Sequence, residues 1–573
     1  MAKYNTKREI SLADQKSGVE KTTTHQGGTG YTQKPEHELI GILATGMGNT
    51  FYEKEGEREK RFKDLISNLA SKNKEFVAKA LVYARTVFGQ RSVTHFGAVE
   101  LIPFLQGDNL GKRFFSKRDR KVNKGGIVYR LDDMTEILAA YLAKNGADAS
   151  IPNSIKRGFK EAIENADAYE MAKYQMKGKS VSLVDIVNLV HPAQTEKQGT
   201  IKVSVAEYLK AAKGTKWEHK LISNSEAKDA EGNVAIPALH ALVLGLLKQF
   251  NTVEDKNTEA GKVVAEKVKT GVISKEEAAK ELNEAKTENY VELIKTKKIG
   301  YLALLRNIRN ILKTDNTEVL DMACELLVNK DFIRKSLIWP TQIDVALEIM
   351  LIEFSGAKMA KVTKALSEAY ELSIPNLQNL LPEGKTAVVF DTSGSMEGGW
   401  TGGVMINAKT KINKSPADKA ALIAATFAKG VNGDVYHFAN AAERITGWNP
   451  NDSVNTLKKT FMSYNGKQGH GTAFGACFDL FERTNTQYDR VIIISDEQDG
   501  YGNVEANFKG YCQKFGTPYI YIINVCGYAN TAPIKSGSRV FRLYGYNQDL
   551  YDKIVQIEIN PAVLIEEINK IEI

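Results

Sequence analysis

In the run Asp391-Thr-Ser-Gly-Ser-Met396, Asp391, Ser393 and Ser395 gather one carboxylate and two hydroxyls within five residues. Gly394 gives the backbone freedom to point Asp391, Ser393 and Ser395 the same way. All three are hard oxygen donors with no His or Cys among them, a chemistry that selects Mg²⁺ or Mn²⁺ over zinc or copper. Two later pieces extend the set. Gly469-His-Gly-Thr-Ala473 puts Thr472 at the start of an expected helix, and Ser495-Asp496-Glu497 supplies a second carboxylate after an apolar run. The alternative is that Asp391 and Ser393 only cap a turn. No GxxxxGK[ST] occurs here, so ATP hydrolysis has no support. His470 has no acid placed to complete a triad with Ser395, so no enzyme activity is expected.

Such donors need a rigid frame. Thr386–Phe390 (TAVVF) reads as a buried strand leading directly into Asp391, and Arg490–Ile494 (RVIII) as one leading into Ser495 and Asp496. Between and after them, helices are expected over 417–429, 472–483 and 505–515, with further strands over 434–438 and 519–525. Strands alternating with helices, several apolar throughout, predict a doubly wound α/β domain with a parallel sheet covered on both faces. Ligands of such sheets bind outside the carboxyl ends of the strands, where Asp391 and Asp496 fall.

Ahead of Pro375 the pattern is different. Val77, Leu81, Ala84 and Phe88 share one helical face, as do Met134, Ile137, Leu138, Tyr141 and Leu142, and Leu320, Ala323, Cys324 and Leu327. From about residue 39 to about 374 this predicts helix pairs that cannot bury their faces alone, an α-solenoid of divergent, HEAT-like repeats. Residues 252–286, rich in Lys, Glu and Ala, read as a solvated helical excursion from it. The polar, Gly- and Thr-rich residues 1–35 are expected to be disordered. The expected division is therefore 1–35, a helical domain over 36–380, and an α/β domain over 381–573.

The 573 residues are 43% hydrophobic and 25% charged, a globular balance that excludes collagenous, mucin-like and wholly disordered classes. Cys324, Cys477, Cys512 and Cys526 form no CxxC, which excludes a zinc ribbon and fits a reducing cytoplasm. The start MAKYNTKREI has no apolar core of a secretory signal, and Ile236–Leu247 is too short to span a membrane. The net charge is +8; residues 385–573 hold 19 basic and 19 acidic side chains, so the whole excess lies in residues 1–384. A basic part joined to a neutral part points to a polyanionic partner for the first, although such an excess is also compatible with an ordinary surface.

Within the basic part, Lys112, Arg113, Lys117, Arg118, Arg120, Lys121, Lys124 and Arg130 fall within twenty residues, opposed only by Asp119. Phe114 and Phe115 lie among them, rings suited to stacking on bases. The run reads either as an RNA contact or as a solvated loop.

A helical solenoid followed by an α/β domain carrying Asp391, Ser393, Ser395, Thr472 and Asp496 resembles the Ro 60 kDa autoantigen family, the TROVE-domain proteins with a C-terminal von Willebrand factor A domain, in its bacterial or phage form. Leu39–Glu53 resembles the family's segment after its disordered start. Tyr301-Leu-Ala-Leu-Leu-Arg-Asn-Ile308 is similar to its "ALLRN" signature, and Trp339-Pro340 with Ala346-Leu347 to a later segment. Lys173, Tyr174, Lys177, Ser182, Asp185 and His191 line up with its RNA-contacting stretch, to which Lys179 adds charge. The family's central histidine falls on Leu183 and a later arginine on Asn188, which departs from standard Y RNA binding. His191 reads equally as a helix cap or core residue.

The resemblance implies a ring of helical repeats with a basic hole for single-stranded RNA ends, and an outer surface for structured, Y-like small RNAs. It also implies a link to an exoribonuclease and to RNA quality control or processing. In the family's metal-ion-dependent adhesion site, serines and often the threonine bind Mg²⁺ directly and the aspartates act through water, leaving one position for a partner's acidic group. The expectation is a cytoplasmic, monomeric, non-enzymatic ribonucleoprotein without membrane contact. The rival expectation is a metal-dependent interaction module that binds acidic protein partners without RNA.

Overall fold

Tyr301, Leu304, Leu305, Ile308, Ile311 and Leu312 recur at three- and four-residue spacing and all are buried, which makes Tyr301–Lys313 an amphipathic helix. It packs on Thr317–Leu327, whose first turn is capped by Asn316 accepting from the Val319 amide at 3.1 Å. Pro340–Glu353 packs on Ala357–Leu372 in the same way. Helix pairs of this kind are what the spacing predicts.

The computed structural model describes residues 21–47, 50–119, 121–175, 179–215, 229, 232–247, 263–270, 272–295, 299–314, 316–336, 338, 340–373, 384–398, 404–405, 411–412, 415–528, 532–535, 539–544, 550, 554 and 563–573. Arg120, Lys177 and Trp339 lie outside these, as do residues 1–20 and 251–262. The chain divides into two units, one of Met1–Leu65 with Ala260–Ile565 and one of Ile66–Glu259 with Glu566–Ile573. The helices from Tyr301 to Leu372 therefore share a unit with the α/β sheet, a division that differs from the expected boundary at 380.

In the unit of residues 66–259 and 566–573, Ser92–Leu101 packs on Leu131–Asn145, and Asn153–Glu164 on both Asn109–Phe114 and Leu183–Val190. Asp133 is fully buried at the start of Leu131–Asn145 and binds Arg85 and His95, each at 3.0 Å, with the Tyr129 and Arg130 amides donating to it at 3.0 and 2.8 Å. Burial alone would raise its pKa; the His95 hydrogen bond and the Arg85 charge outweigh it and hold the carboxyl far below its ordinary value. This unit also carries a short antiparallel hairpin that the helical periodicity did not reveal.

The strands in chain order are β1 (Lys21–Thr23), β2 (Thr29–Tyr31), the hairpin strands β3 (Thr200–Ser204) and β4 (Asn233–Pro237), β5 (Thr386–Asp391), β6 (Val404–Met405), β7 (Lys411–Ile412), β8 (Asp434–Phe438), β9 (Ala442–Arg444), β10 (Arg490–Ser495), β11 (Tyr519–Asn524) and β12 (Val540–Tyr544). Six of them form one mixed sheet in the order β12-β11-β10-β5-β8-β9. All neighbours are parallel except β9, which pairs antiparallel with β8. Read from β9, this is the doubly wound order in which the chain reverses direction between the first and fourth strands, here β5 and β10. Both are buried at every residue, as strands covered by helices on both faces must be. The helices Pro416–Val431, Ala476–Arg483 and Val504–Phe515 fall where the sequence places them, but Ala476–Arg483 starts four residues later than expected, which leaves Thr472 in the preceding loop.

Residues 21–35 depart from the expected disorder. β1 and β2 pair as an antiparallel hairpin, and Tyr31 is buried. The Gly28 amide donates to the Asp499 carbonyl at 3.1 Å, the Ala532 amide donates to the Tyr31 carbonyl at 3.3 Å, and the Thr24 hydroxyl donates to the Asp499 carbonyl. Composition correctly denies this stretch a core of its own; its order comes from main-chain bonds to the α/β domain, which composition does not report.

Candidate functional site

β5 and β10 lie side by side, in register from Thr386 opposite Arg490 to Phe390 opposite Ile494, so their ends deliver Asp391 and Asp496 to the point where the sheet reverses direction. The Ser393 amide donates to Asp391 Oδ1 at 2.8 Å, and the Ser495 hydroxyl donates to Asp391 Oδ2 at 2.6 Å. Each oxygen keeps a second lone pair. Ser393 Oγ and Ser395 Oγ are 3.2 Å apart. Asp496 Oδ1 accepts from the Gln498 amide at 3.1 Å, whereas Oδ2 is buried with no hydrogen-bond partner.

The loop bearing Thr472 is pinned to this edge by its backbone. The Gly394 amide donates to the His470 carbonyl at 2.9 Å, Ala473 to the Ala439 carbonyl at 2.7 Å and Gly500 to the Thr472 carbonyl at 2.8 Å. Asp391, Ser393, Ser395, Thr472 and Asp496 are all buried at one place, so the structure brings together the five residues that the sequence singles out.

Burial raises the pKa of Asp391, and burial followed by the Asp391 charge raises that of Asp496. Two desolvated carboxylates, one with an orphaned oxygen, and two adjacent hydroxyls form a donor set that fits a hard divalent cation, which would offset the buried charge. Among the described residues no group of three or more His, Cys, Asp or Glu could hold a metal ion; this set has only two carboxylates and otherwise relies on hydroxyls.

Three residues of the same edge escape sequence reading. Ser495 braces Asp391, and its position at the end of an apolar strand was a usable signal. Gln26 and Tyr52 come from the N-terminal segment: Gln26 Nε2 donates to Thr472 Oγ1 at 2.8 Å, and the half-buried Tyr52 stands near enough to Asp496 and Asp391 for their charges to add to burial in raising its pKa. No local pattern marks either.

The basic stretches are less uniform than their sequence. Arg118 is 1% exposed and donates to Asn123 Oδ1, to the Asn123 and Gly125 carbonyls and to the Glu572 carbonyl, so it braces its own loop and is not presented to a ligand. Phe114 and Phe115 are fully buried against each other and Phe159; they are core side chains, which corrects the expectation that they stack on bases. Lys117 is tied to Glu170 and to the Asn165 carbonyl at 3.0 Å, and Lys112 pairs with Glu161 at 3.0 Å. Lys112, Arg113, Lys121, Lys173 and Lys179 are exposed. His191 is exposed, adopts φ 44° and ψ 63° and ends the helix Leu183–Val190 with its amide on the Val187 carbonyl at 3.0 Å, a helix-capping position. Ser182 and Asp185 cap the other end reciprocally, and Leu183 is buried in the core.

No helix among the described residues is long and apolar enough to cross a membrane. No protein-family model and no curated protein matches the chain. Among solved structures it is similar to the crystal structure of the Ro (RSR) protein of Deinococcus radiodurans, with a TM-score of 0.52 and 14% sequence identity, over 91% of this chain and 98% of that one. At that identity the likeness is one of fold, and it spans both the helical repeats and the α/β domain. The fold of this chain is that of a bacterial Ro protein.

Proposed function

We propose that this chain is a non-enzymatic, RNA-binding protein of the Ro type. In this reading the helical repeats over 36–380 close into a ring that holds single-stranded RNA ends and a small structured, Y-like RNA, in RNA quality control or processing in the cytoplasm. The α/β domain over 381–573 acts as a von Willebrand factor A domain. The observation that carries the reading is the Ro-like fold along nearly the whole of both chains. The basic excess of residues 1–384 and the exposed Lys112, Arg113, Lys121, Lys173 and Lys179 support a polyanionic ligand. Exoribonuclease partnership and a monomeric state belong to the same proposal.

The second part of the proposal is a Mg²⁺ or Mn²⁺ ion held by Asp391, Ser393, Ser395, Thr472 and Asp496. Support comes from the buried, partnerless Asp496 Oδ2 and the paired serine hydroxyls beside it. Such an ion supplies a Lewis-acidic point for an acidic oxygen ligand.

One observation favours the rival reading, a metal-dependent interaction module without RNA. Arg118 and Lys117 are committed to internal acceptors, which reduces the cationic surface available to phosphates. The test is to purify the protein from its native cell and sequence the nucleic acid that accompanies it. A discrete set of small structured RNAs is expected. Protein recovered without RNA but with an acidic protein partner would replace this reading with the rival.

A further inference from the structure

The N-terminal segment meets the candidate metal centre at close range and over a long run of residues. The His25 amide donates to Gln498 Oε1 at 2.8 Å, two residues beyond Asp496. Gly28 lies so near Asp499 that a Cβ there would stand 2.3 Å from the Asp499 carbonyl oxygen, so only glycine fits. Gln26 Oε1 would be 3.0 Å from a Cβ at Gly500, while its amide nitrogen bonds Thr472 Oγ1 at 2.8 Å. His25 stacks on Tyr52 with ring centroids 4.9 Å apart and meets Tyr528 edge-on at 5.5 Å. Arg58 is fully buried and donates to the Cys526 carbonyl at 2.5 Å, and Arg61 donates to the Gly527 carbonyl at 3.1 Å, both in the loop after β11.

One of these contacts falls on a candidate metal donor itself. Thr472 Oγ1 accepts the Gln26 amide hydrogen and keeps a lone pair for a cation. Tyr52, stacked on His25, stands near the charges of Asp496 and Asp391 and brings an oxygen atom that the α/β domain does not supply. A surface awaiting a partner's acidic group would not be expected to have a segment of its own chain bonded to one of its donors and packed beside the others.

We propose that residues 21–47 and 50–54 are the resident occupant of this site. Were a cation held among Asp391, Ser393, Ser395, Thr472 and Asp496, Gln26 would hold Thr472 in place and the segment, with Tyr52 beside the carboxylates, would stand in the way of an outside acidic group. The cation and the segment then hold each other in place, and reciprocity requires that each raise the other's affinity by the same factor. An acidic partner reaches the cation only by displacing the segment.

This inference rests on the metal reading, and the experiment separates their failures. The full-length protein is titrated with Mn²⁺ while the spin signal of unbound Mn²⁺ is followed, and hydrogen exchange of the 21–33 backbone is compared with and without saturating Mn²⁺. Gln26→Ala, Tyr52→Phe and Asp391→Ala are run alongside. Saturating Mn²⁺ is expected to slow exchange at His25 and Gly28 by at least about fivefold in the parent, and not in Asp391→Ala. Gln26→Ala and Tyr52→Phe are each expected to weaken Mn²⁺ binding. If the parent binds Mn²⁺ at Asp391 but exchange in 21–33 is unchanged and both N-terminal variants bind as the parent does, the inference falls and the metal reading stands. If the parent takes up no Mn²⁺, both fall. The exchange comparison on the unaltered chain does not depend on any variant folding.

Discussion

Arg118 gives its guanidinium to the Asn123 side chain and to the Asn123, Gly125 and Glu572 carbonyls, whereas Lys121, three residues on, is exposed. Their substitutions are therefore expected to differ in kind. Arg118→Ala empties a buried guanidinium site and strands part-buried carbonyls, and is expected to cost about 1–3 kcal/mol in urea unfolding. Lys121→Ala is expected to stay within about 0.5 kcal/mol of the parent while lowering the salt slope of RNA binding. Asp391 and Asp496 give a second prediction at this scale. Without a cation, burial raises the folded pKa of both above the ordinary carboxylate value, and the Asp391 charge raises that of Asp496 further. A raised folded pKa contributes stability below the unfolded value and loses it as pH climbs through the folded one. Metal-free protein is thus expected to lose melting temperature as pH climbs above the ordinary carboxylate value of about 4 towards neutrality, and saturating Mg²⁺ to restore it there. A metal-free melting temperature that rises over that interval would contradict the burial of this pair.

Among elements, the segment 21–35 carries the most specific expectation. Gly28→Ala places a methyl group 2.3 Å from the Asp499 carbonyl oxygen, so the segment must lift. The expected result is loss of hydrogen-exchange protection at Gly28 and neighbouring amides, with a stability cost of about 1–3 kcal/mol; unchanged protection would show that the contact is dispensable. How legible the elements were follows from the same physics. β5 and β10 were readable because a strand buried on both faces must be apolar throughout, and TAVVF and RVIII are. That Asp391, Ser393, Ser395 and Asp496 lie on one edge was readable because each closely follows a strand recognisable in sequence. β1 and β2 were not, because their order depends on main-chain bonds to Asp499 and Ala532, partners more than 450 residues away in the sequence. Phe114, Phe115 and Arg118 misled for a related reason: a basic, aromatic run looks the same in sequence whether its side chains face solvent or the core of their own unit.

For the molecule as a whole, the Ro-like fold and the distribution of charge point the same way. The α/β part is neutral by composition, and the exposed cations of the candidate RNA-binding stretches belong to the helical part. RNA affinity should therefore be electrostatic, steep in salt and insensitive to changes at Asp391. The most direct measurement is a titration of one hairpin RNA and one single strand against the parent protein and a variant with Lys112, Arg113, Lys121, Lys173 and Lys179 changed to Ala, each at two salt concentrations. The parent is expected to bind both RNAs, with a slope of log affinity against log salt of about −0.7 per single-strand phosphate neutralised; the variant is expected to bind both more weakly and with a flatter slope. Equal binding by parent and variant, or no binding by the parent at low salt, would contradict the account.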